Sequence, residues 1–222
     1  MKERYKRTLG VLTEGEIAGL GEKRVFVAGC GGLGGYILEM IARLGIKNIT
    51  LADGDVFCET NLNRQILCTE NNIGRTKTEA AVLRIREINS EAIVQSFNVF
   101  IDEQNAKELL QNHDVIMDAL DNIPSRLLLE KYAEKLNIPL IHGAIDGWFS
   151  QTAVVMPGDR TLEKLYQSCT SVPPPVPSFT PAFCASLQVS EMVKLLINKE
   201  TLPRHHILLC DLYDYSMDIF SV

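Results

Sequence analysis

The chain has 222 residues, room for one large domain or two cramped ones at about 150 residues each. Its 46% hydrophobic and 23% charged residues are ordinary globular composition, which excludes a disordered chain, a fibrous repeat and a disulfide-stapled mini-protein. A formal charge of −6 argues against binding nucleic acid through a basic field. The opening Met-Lys-Glu-Arg-Tyr-Lys-Arg7 reads as a solvated arm with no apolar run behind it. Neither a signal peptide nor a membrane span is expected.

Arg24-Val-Phe-Val-Ala28 has the length and apolarity of a buried strand and runs into a glycine cluster. Leu33, Ile37, Met40, Ile41 and Leu44 then recur at helical spacing, with Gly45 as a helix stop. Asn48 to Ala52 predicts a second strand. The irregular stretch from Gly54 to Gly74 is long for a crossover and therefore suspect as functional. A helix is expected over 75–89, with strands over 93–99, 115–119 and 139–142 and helices near 103–111 and 124–137. This alternation predicts a Rossmann-like α/β fold: a mainly parallel sheet with helices on both faces. After Gly147 the alternation fails. A strand over 151–156 leads into a polar, proline-rich crossover loop, 157–181, which contains Pro173-Pro-Pro175 and Pro177. A helix over 182–198 and a terminal strand over 207–212 close the chain, and the late strands are expected to be antiparallel. The expected organisation is a single domain: an arm (1–22), a nucleotide-binding core (23–156), the crossover loop (157–181) and a closing helix and strand (182–222).

Gly29, Gly31 and Gly34 make G-x-G-x-x-G between the first strand and the first helix, with Gly32 beside them. One glycine makes the tight turn, one lets a phosphate approach the backbone and one brings helix and strand together. The helix N-terminus offers free N–H groups to an anion. Asp53, about twenty residues further on at the end of the second strand, is placed to accept from ribose hydroxyls. That pattern alone favours NAD and an oxidoreductase. Three features point instead to a triphosphate. Asn61 and Arg64 are three apart and share a face if their segment makes a helical turn, and a guanidinium there suits phosphate oxygens; a solvated loop arginine is the alternative. Lys77 continues the stripe of Ala81, Ile85 and Ile88, so its stem packs while its ammonium reaches either a polar cleft or water. Asp121-Asn122 follows the fourth strand, where a carboxylate beside phosphates is useful for holding Mg²⁺, or where the pair merely turns the chain into the next helix.

Gly29-Cys-Gly-Gly-Leu-Gly34, Asp53-x-Asp55 followed by Asn61-Leu-Asn-Arg64-Gln65, Lys77, and Asp121-Asn122 with Arg126 together resemble the ThiF/MoeB/HesA family, bacterial relatives of ubiquitin-activating enzymes. The resemblance runs from about Arg4 to Lys194. It implies an adenylyltransferase that uses MgATP to adenylate the C-terminal glycine of a small ubiquitin-like sulfur carrier, releasing pyrophosphate. It further implies that Asp53 holds the ribose, that Asn61, Arg64 and Lys77 contact the phosphates, that Asp121 holds Mg²⁺ and that Gln65 belongs to the same motif. Arg4-Tyr-Lys-Arg7 matches the family's opening, in which the second arginine reaches a partner's ATP; Arg7 is the residue in that position, and a homodimer is expected. A related protein acting on a modified tRNA base is the alternative acceptor class.

The departures concern cysteine. Cysteines stand at 30, 58, 68, 169, 184 and 210, none of them in a C-x-x-C pair, and free thiols in a reducing cytoplasm are expected. Family members often hold zinc with two such pairs. Tyr166-Gln-Ser-Cys169 retains only the last cysteine of the first pair and no second pair follows, so zinc is not expected. Cys184 is expected to begin the late helix, where a thiol pKa can fall, although a small buried hydrophobe is the commoner fate of a free cysteine. His142, at a strand end, reads as structural and, with Trp148, flanks the substrate side of the sheet; His205-His206 lacks an acidic or thiol neighbour at ligand spacing and is expected to face water.

Overall fold

The computed structural model describes residues 2–167, 169 and 175–222; Pro173 and Pro174 of the expected crossover loop lie outside them. Strands β1 (Arg24–Ala28), β2 (Asn48–Ala52), β3 (Ile93–Phe97), β4 (Val115–Asp118), β5 (Leu140–Asp146), β6 (Phe149–Val155), β7 (His206–Asp211) and β8 (Ser216–Ser221) form one sheet in the order β3-β2-β1-β4-β5-β6-β7-β8. Pairings from β3 to β5 are parallel, and those from β5 to β8 antiparallel. β1 and β4 are apolar almost throughout because helices cover both of their faces.

Helices α1 (Glu14–Glu22), α2 (Gly32–Leu44), α3 (Lys77–Ile88) and α7 (Phe179–Leu196) pack into the core of one face, and α4 (Ala106–Leu110), α5 (Ile123–Leu136) and α6 (Thr161–Leu165) into that of the other. Local chemistry sets several boundaries. Gly45 ends α2 in the left-handed region, at φ 92°. Thr76 caps α3 by accepting from Glu79 N, and Asn122 caps α5 by accepting from Ser125 N. Because β1 leads away to β2 while β4 leads to β5, a crevice opens at the carboxyl ends of β1 and β4, where open α/β sheets take ligands.

The early elements match their expected ranges within a few residues, and the late ones differ. The segment 157–181 is not a plain loop: it contains α6, and α7 starts at Phe179. Pro181 sits in the first turn of α7, where a missing N–H forfeits no intrahelical bond, so the proline did not mark the helix start. β5 runs on to Asp146, which places His142 inside a strand rather than at its end. The terminal strand is half of a hairpin with β8, every residue of which is exposed, so no inside–outside pattern announces it. No helix among the described residues is long and apolar enough to cross a membrane.

Candidate active site

The crevice is a cleft of about 560 Å³, a volume suited to a small molecule. The glycine loop forms its floor. Gly29 has φ +94°, and a Cβ there would lie 2.7 Å from the carbonyl oxygen of Ala119 on the loop after β4. A Cβ on Gly34 would lie 1.9 Å from Gly29 O, so Gly34 brings α2 against the loop and does not itself line the cleft. Gly31, Gly32 and Leu33 do line it, in the first turn of α2, whose N–H groups lack intrahelical acceptors.

Asp53 follows β2 and is held rigidly. Its Oδ2 accepts from Cys30 N at 2.7 Å and its Oδ1 from Asp55 N at 2.8 Å. Burial raises its pKa, against the opposing pull of Lys77 and these two N–H groups. Lys77 is buried at the start of α3 and donates to Asp55 Oδ2 at 2.7 Å, so the lysine on the apolar stripe reaches the cleft, not open water. Arg64 also lines the cleft. Its Nη1 donates only to the Thr60 carbonyl and Asn63 Oδ1, at 2.9 and 2.8 Å, leaving its charge without an acidic partner among the described residues. Gln65 is buried beside Gly31, and its Oε1 has no hydrogen-bond partner. Asn61 closes the 3-10 turn Glu59–Asn61, where its Oδ1 accepts from Cys58 N at 3.1 Å, so it shapes the segment that carries Arg64; it is buried and is not among the residues lining the cleft.

Asp121 stands exposed on the loop after β4, its Oδ1 accepting from Asn122 Nδ2 at 3.3 Å. Among the described residues no three acidic, histidine or cysteine side chains gather to hold an ion. A lone carboxylate on a cleft lined by Arg64, Lys77 and the start of α2 nevertheless fits Mg²⁺, which commonly takes one or two carboxylates and draws its other ligands from phosphates and water. Arg7 is exposed and lies outside its own chain's cleft lining.

The sequence did not disclose the wall beside β5 and β6. Asp118, fully buried at the end of β4, accepts from Leu120 N at 3.0 Å and from His142 Nδ1 at 2.6 Å. His142 Nε2 meets the Tyr166 hydroxyl at 3.1 Å and Gln151 Nε2 at 3.0 Å. Arg126 Nη1 donates to that hydroxyl at 3.2 Å and Nη2 to the Leu120 carbonyl at 2.7 Å. Arg126, Gln151 and Tyr166 line the cleft. Only Arg126 carried a motif signal; the others meet through tertiary structure.

Three further residues find partners that the sequence did not indicate. Cys184 lies in the second turn of α7, fully buried, with Sγ against Thr152 and the carbonyls of Ala144 and Gln151. Burial pushes its thiol up to about 12, the reverse of activation at a helix start. Trp148 stacks between Phe179 and Tyr213, at centroid distances of 4.7 and 5.5 Å. His205 is half-buried with Nε2 3.6 Å from Asp159 Oδ1, a carboxylate remote in sequence, so it does not simply face water.

Comparison with known proteins gives a consistent picture. The profile of the ThiF family matches residues 5–222. The chain is 31% identical over 213 residues to the sulfur carrier protein adenylyltransferase of Thermus thermophilus, covering 89% of this chain and 78% of that protein. It is 34% identical over 149 residues to the tRNA threonylcarbamoyladenosine dehydratase of Haemophilus influenzae, covering 64% and 57%. The crystal structure of Escherichia coli MccB with ATP has the same fold, at a TM-score of 0.84 and 20-odd per cent identity (21%), over 100% of this chain and 72% of that one.

Proposed function

The chain belongs to the ThiF family, and from that premise we propose that it is an adenylyltransferase that uses MgATP to activate the C-terminal glycine of a ubiquitin-like sulfur carrier, releasing pyrophosphate. The observation that carries this reading is the convergence of the glycine loop, Asp53, Arg64, Lys77 and Asp121 on one cleft. The sulfur-carrier enzyme of Thermus thermophilus supports the acceptor class, since the two chains align over most of both lengths.

In this reading Asp53 accepts from the ribose hydroxyls and the first turn of α2 receives the phosphates. The carrier's carboxylate oxygen attacks the α-phosphorus, and the bond from that phosphorus to the bridging oxygen breaks as pyrophosphate leaves. No side-chain base is needed, because the attacking carboxylate is already ionised. The obstacles are like-charge repulsion on approach and charge accumulating on the leaving group. Lys77 and Arg64 stabilise that charge in a cleft partly shielded from water. Asp121 would hold Mg²⁺, which neutralises phosphate charge when bound. Arg7 serves a second copy's cleft in a homodimer.

Carrier-dependent ATP–pyrophosphate exchange tests the reading: wild type exchanges, and Lys77→Ala and Arg64→Ala do not. Wild-type exchange in both variants would overturn it. The likeness to the Haemophilus influenzae dehydratase favours a tRNA base as a second acceptor class. That reading requires ATP consumption stimulated by tRNA and unaffected by carrier.

A further inference from the structure

The Tyr166 hydroxyl is the meeting point of groups from α5, β5 and β6, with Asp118 of β4 one bond beyond. His142 is fully buried, and burial holds its pKa down, so the ring is neutral. Asp118 at 2.6 Å fixes the ring proton on Nδ1, which leaves Nε2 as an acceptor. Arg126 Nη1 and Gln151 Nε2 carry only donors toward the phenol oxygen, at 3.2 and 3.3 Å. The one lone pair of His142 Nε2 lies 3.1 Å from the phenol oxygen and 3.0 Å from Gln151 Nε2, so hydroxyl and amide share it. In either arrangement the phenol oxygen accepts from Arg126 Nη1 and holds that side chain.

Arg126 is nine-tenths buried and lines the cleft. The Tyr166 hydroxyl and the Leu120 carbonyl take two of its five N–H donors, and its buried Nε makes no hydrogen bond but faces Asp118 Oδ2 at 3.8 Å. Strand order locates this group relative to the nucleotide. Asp53 follows β2, the glycine loop follows β1, Arg126 follows β4, and Gln151 lies on β6. Moving from the ribose-binding acid across the phosphate-binding loop, the chain after β4 presents Asp121, Asn122 and Ser125 and then Arg126, with Gln151 beyond.

We infer that Tyr166 is a positioning residue which, with His142 and Asp118, locks the Arg126 guanidinium at the acyl end of the cleft, where it binds the oxygens of the acyl phosphate. The inference rests on the adenylation reading and adds to it a specificity for the acylated over the free nucleotide. The same contact fixes the path of the crossover segment. Buried Glu130 accepts from Leu162 N and Glu163 N, at 2.7 and 2.9 Å, at the start of α6, and Tyr166 is tied down at its end. The chain thus leaves α6 from a fixed point over the acyl end.

The test compares, by calorimetry, the binding of AMP and of a non-hydrolysable glycyl-adenylate analogue, 5′-O-(N-glycylsulfamoyl)adenosine, to wild type and to Tyr166→Phe. Wild type binds the analogue more tightly than AMP. Tyr166→Phe loses about tenfold for the analogue, the scale of one hydrogen bond to a charged group, and less than about twofold for AMP. Gln151→Leu, which removes the other side-chain donor to the hydroxyl, gives the same selective loss and serves if the phenylalanine variant does not fold. In pyrophosphate exchange Tyr166→Phe lowers kcat at unchanged KM for ATP, and adding it to Arg126→Lys costs nothing further, because the two act through one group. An equal loss for both ligands, no loss for the analogue, additive losses, or a wild type that binds the analogue no better than AMP would each overturn the inference. Selective loss in a protein with no carrier-dependent exchange would overturn the carrier reading and leave this one standing.

Discussion

Replacing Lys77 by methionine separates the two roles that burial gives this side chain. The lysine is 8% exposed and its partner Asp55 is 50% exposed, with 2.7 Å between Nζ and Oδ2. A pair with one half in water contributes about 1 kcal/mol or less. Methionine keeps the packed stem, removes a buried charge and leaves Asp55 able to recover its hydration. The net change in stability is therefore within about 1 kcal/mol, or roughly 2–4 °C in Tm for a domain of this size. Activity answers differently, because a cation that meets charge developing on the leaving pyrophosphate in a shielded site is worth about 10²–10³ in rate. Lys77→Met should melt close to wild type by differential scanning fluorimetry and lose at least about a hundredfold in pyrophosphate exchange. Lys77 also opposes the burial that raises the Asp53 pKa, so the acid limb of ATP affinity should move to higher pH in the variant. Exchange within tenfold of wild type would refute the phosphate-facing role, and a loss of more than about 10 °C in Tm would refute the account of the ion pair.

Gly34→Ala should lose stability and ATP binding together, because the new methyl would sit 1.9 Å from backbone that has nowhere to move; an unchanged melting curve would refute the packing described for α2. His113, at the opposite end of the sheet, bonds the Leu110 carbonyl and Thr50 Oγ1 at 2.9 and 2.8 Å, and burial holds its pKa below the ordinary 6.5. The unfolded chain therefore protonates first, so this stability is complete above about pH 6.5 and is lost as pH falls toward the folded value. His142 acts with the same sign. Tm measured from about pH 7.5 to 5.5 should fall less steeply in His113→Gln than in wild type, and equal slopes would contradict the assignment. Brief alkylation of the native protein, read by peptide mass spectrometry, should label the exposed Cys58 and Cys169 and spare Cys30, Cys184 and Cys210, which are buried and have raised pKa values. Early labelling of Cys184 would refute the burial that raises its pKa.

The nucleotide half of the cleft was legible because each of its groups is announced by its neighbours in sequence. A glycine cluster follows an apolar strand, an aspartate ends the next strand, and a lysine interrupts an apolar stripe. The parallel sheet then collects all of these at one edge, since every β1–β4 strand ends on the same side. Asn61 shows the limit of such reading: three-residue spacing implied a helical turn, and what it did not show is that the side-chain oxygen closes that turn.

The wall beside β5 and β6 was illegible for a different reason. Asp118 read as the end of a strand, His142 as a structural histidine and Tyr166 as the remnant of a metal motif, and nothing in sequence relates them. What brings His142 beside Gln151 is the register of the β5–β6 hairpin, in which His142 pairs with Ala153 and Ala144 with Gln151, so the two side chains are diagonal neighbours on one face. That register is set at the turn containing Gly147, at φ +56°. Moving it by one residue would send Gln151 to the opposite face and leave His142 Nε2 with the tyrosine alone. Hydrophobic patterning determines that β5 and β6 are strands, whereas the geometry of a two-residue turn determines whether their polar residues form a site.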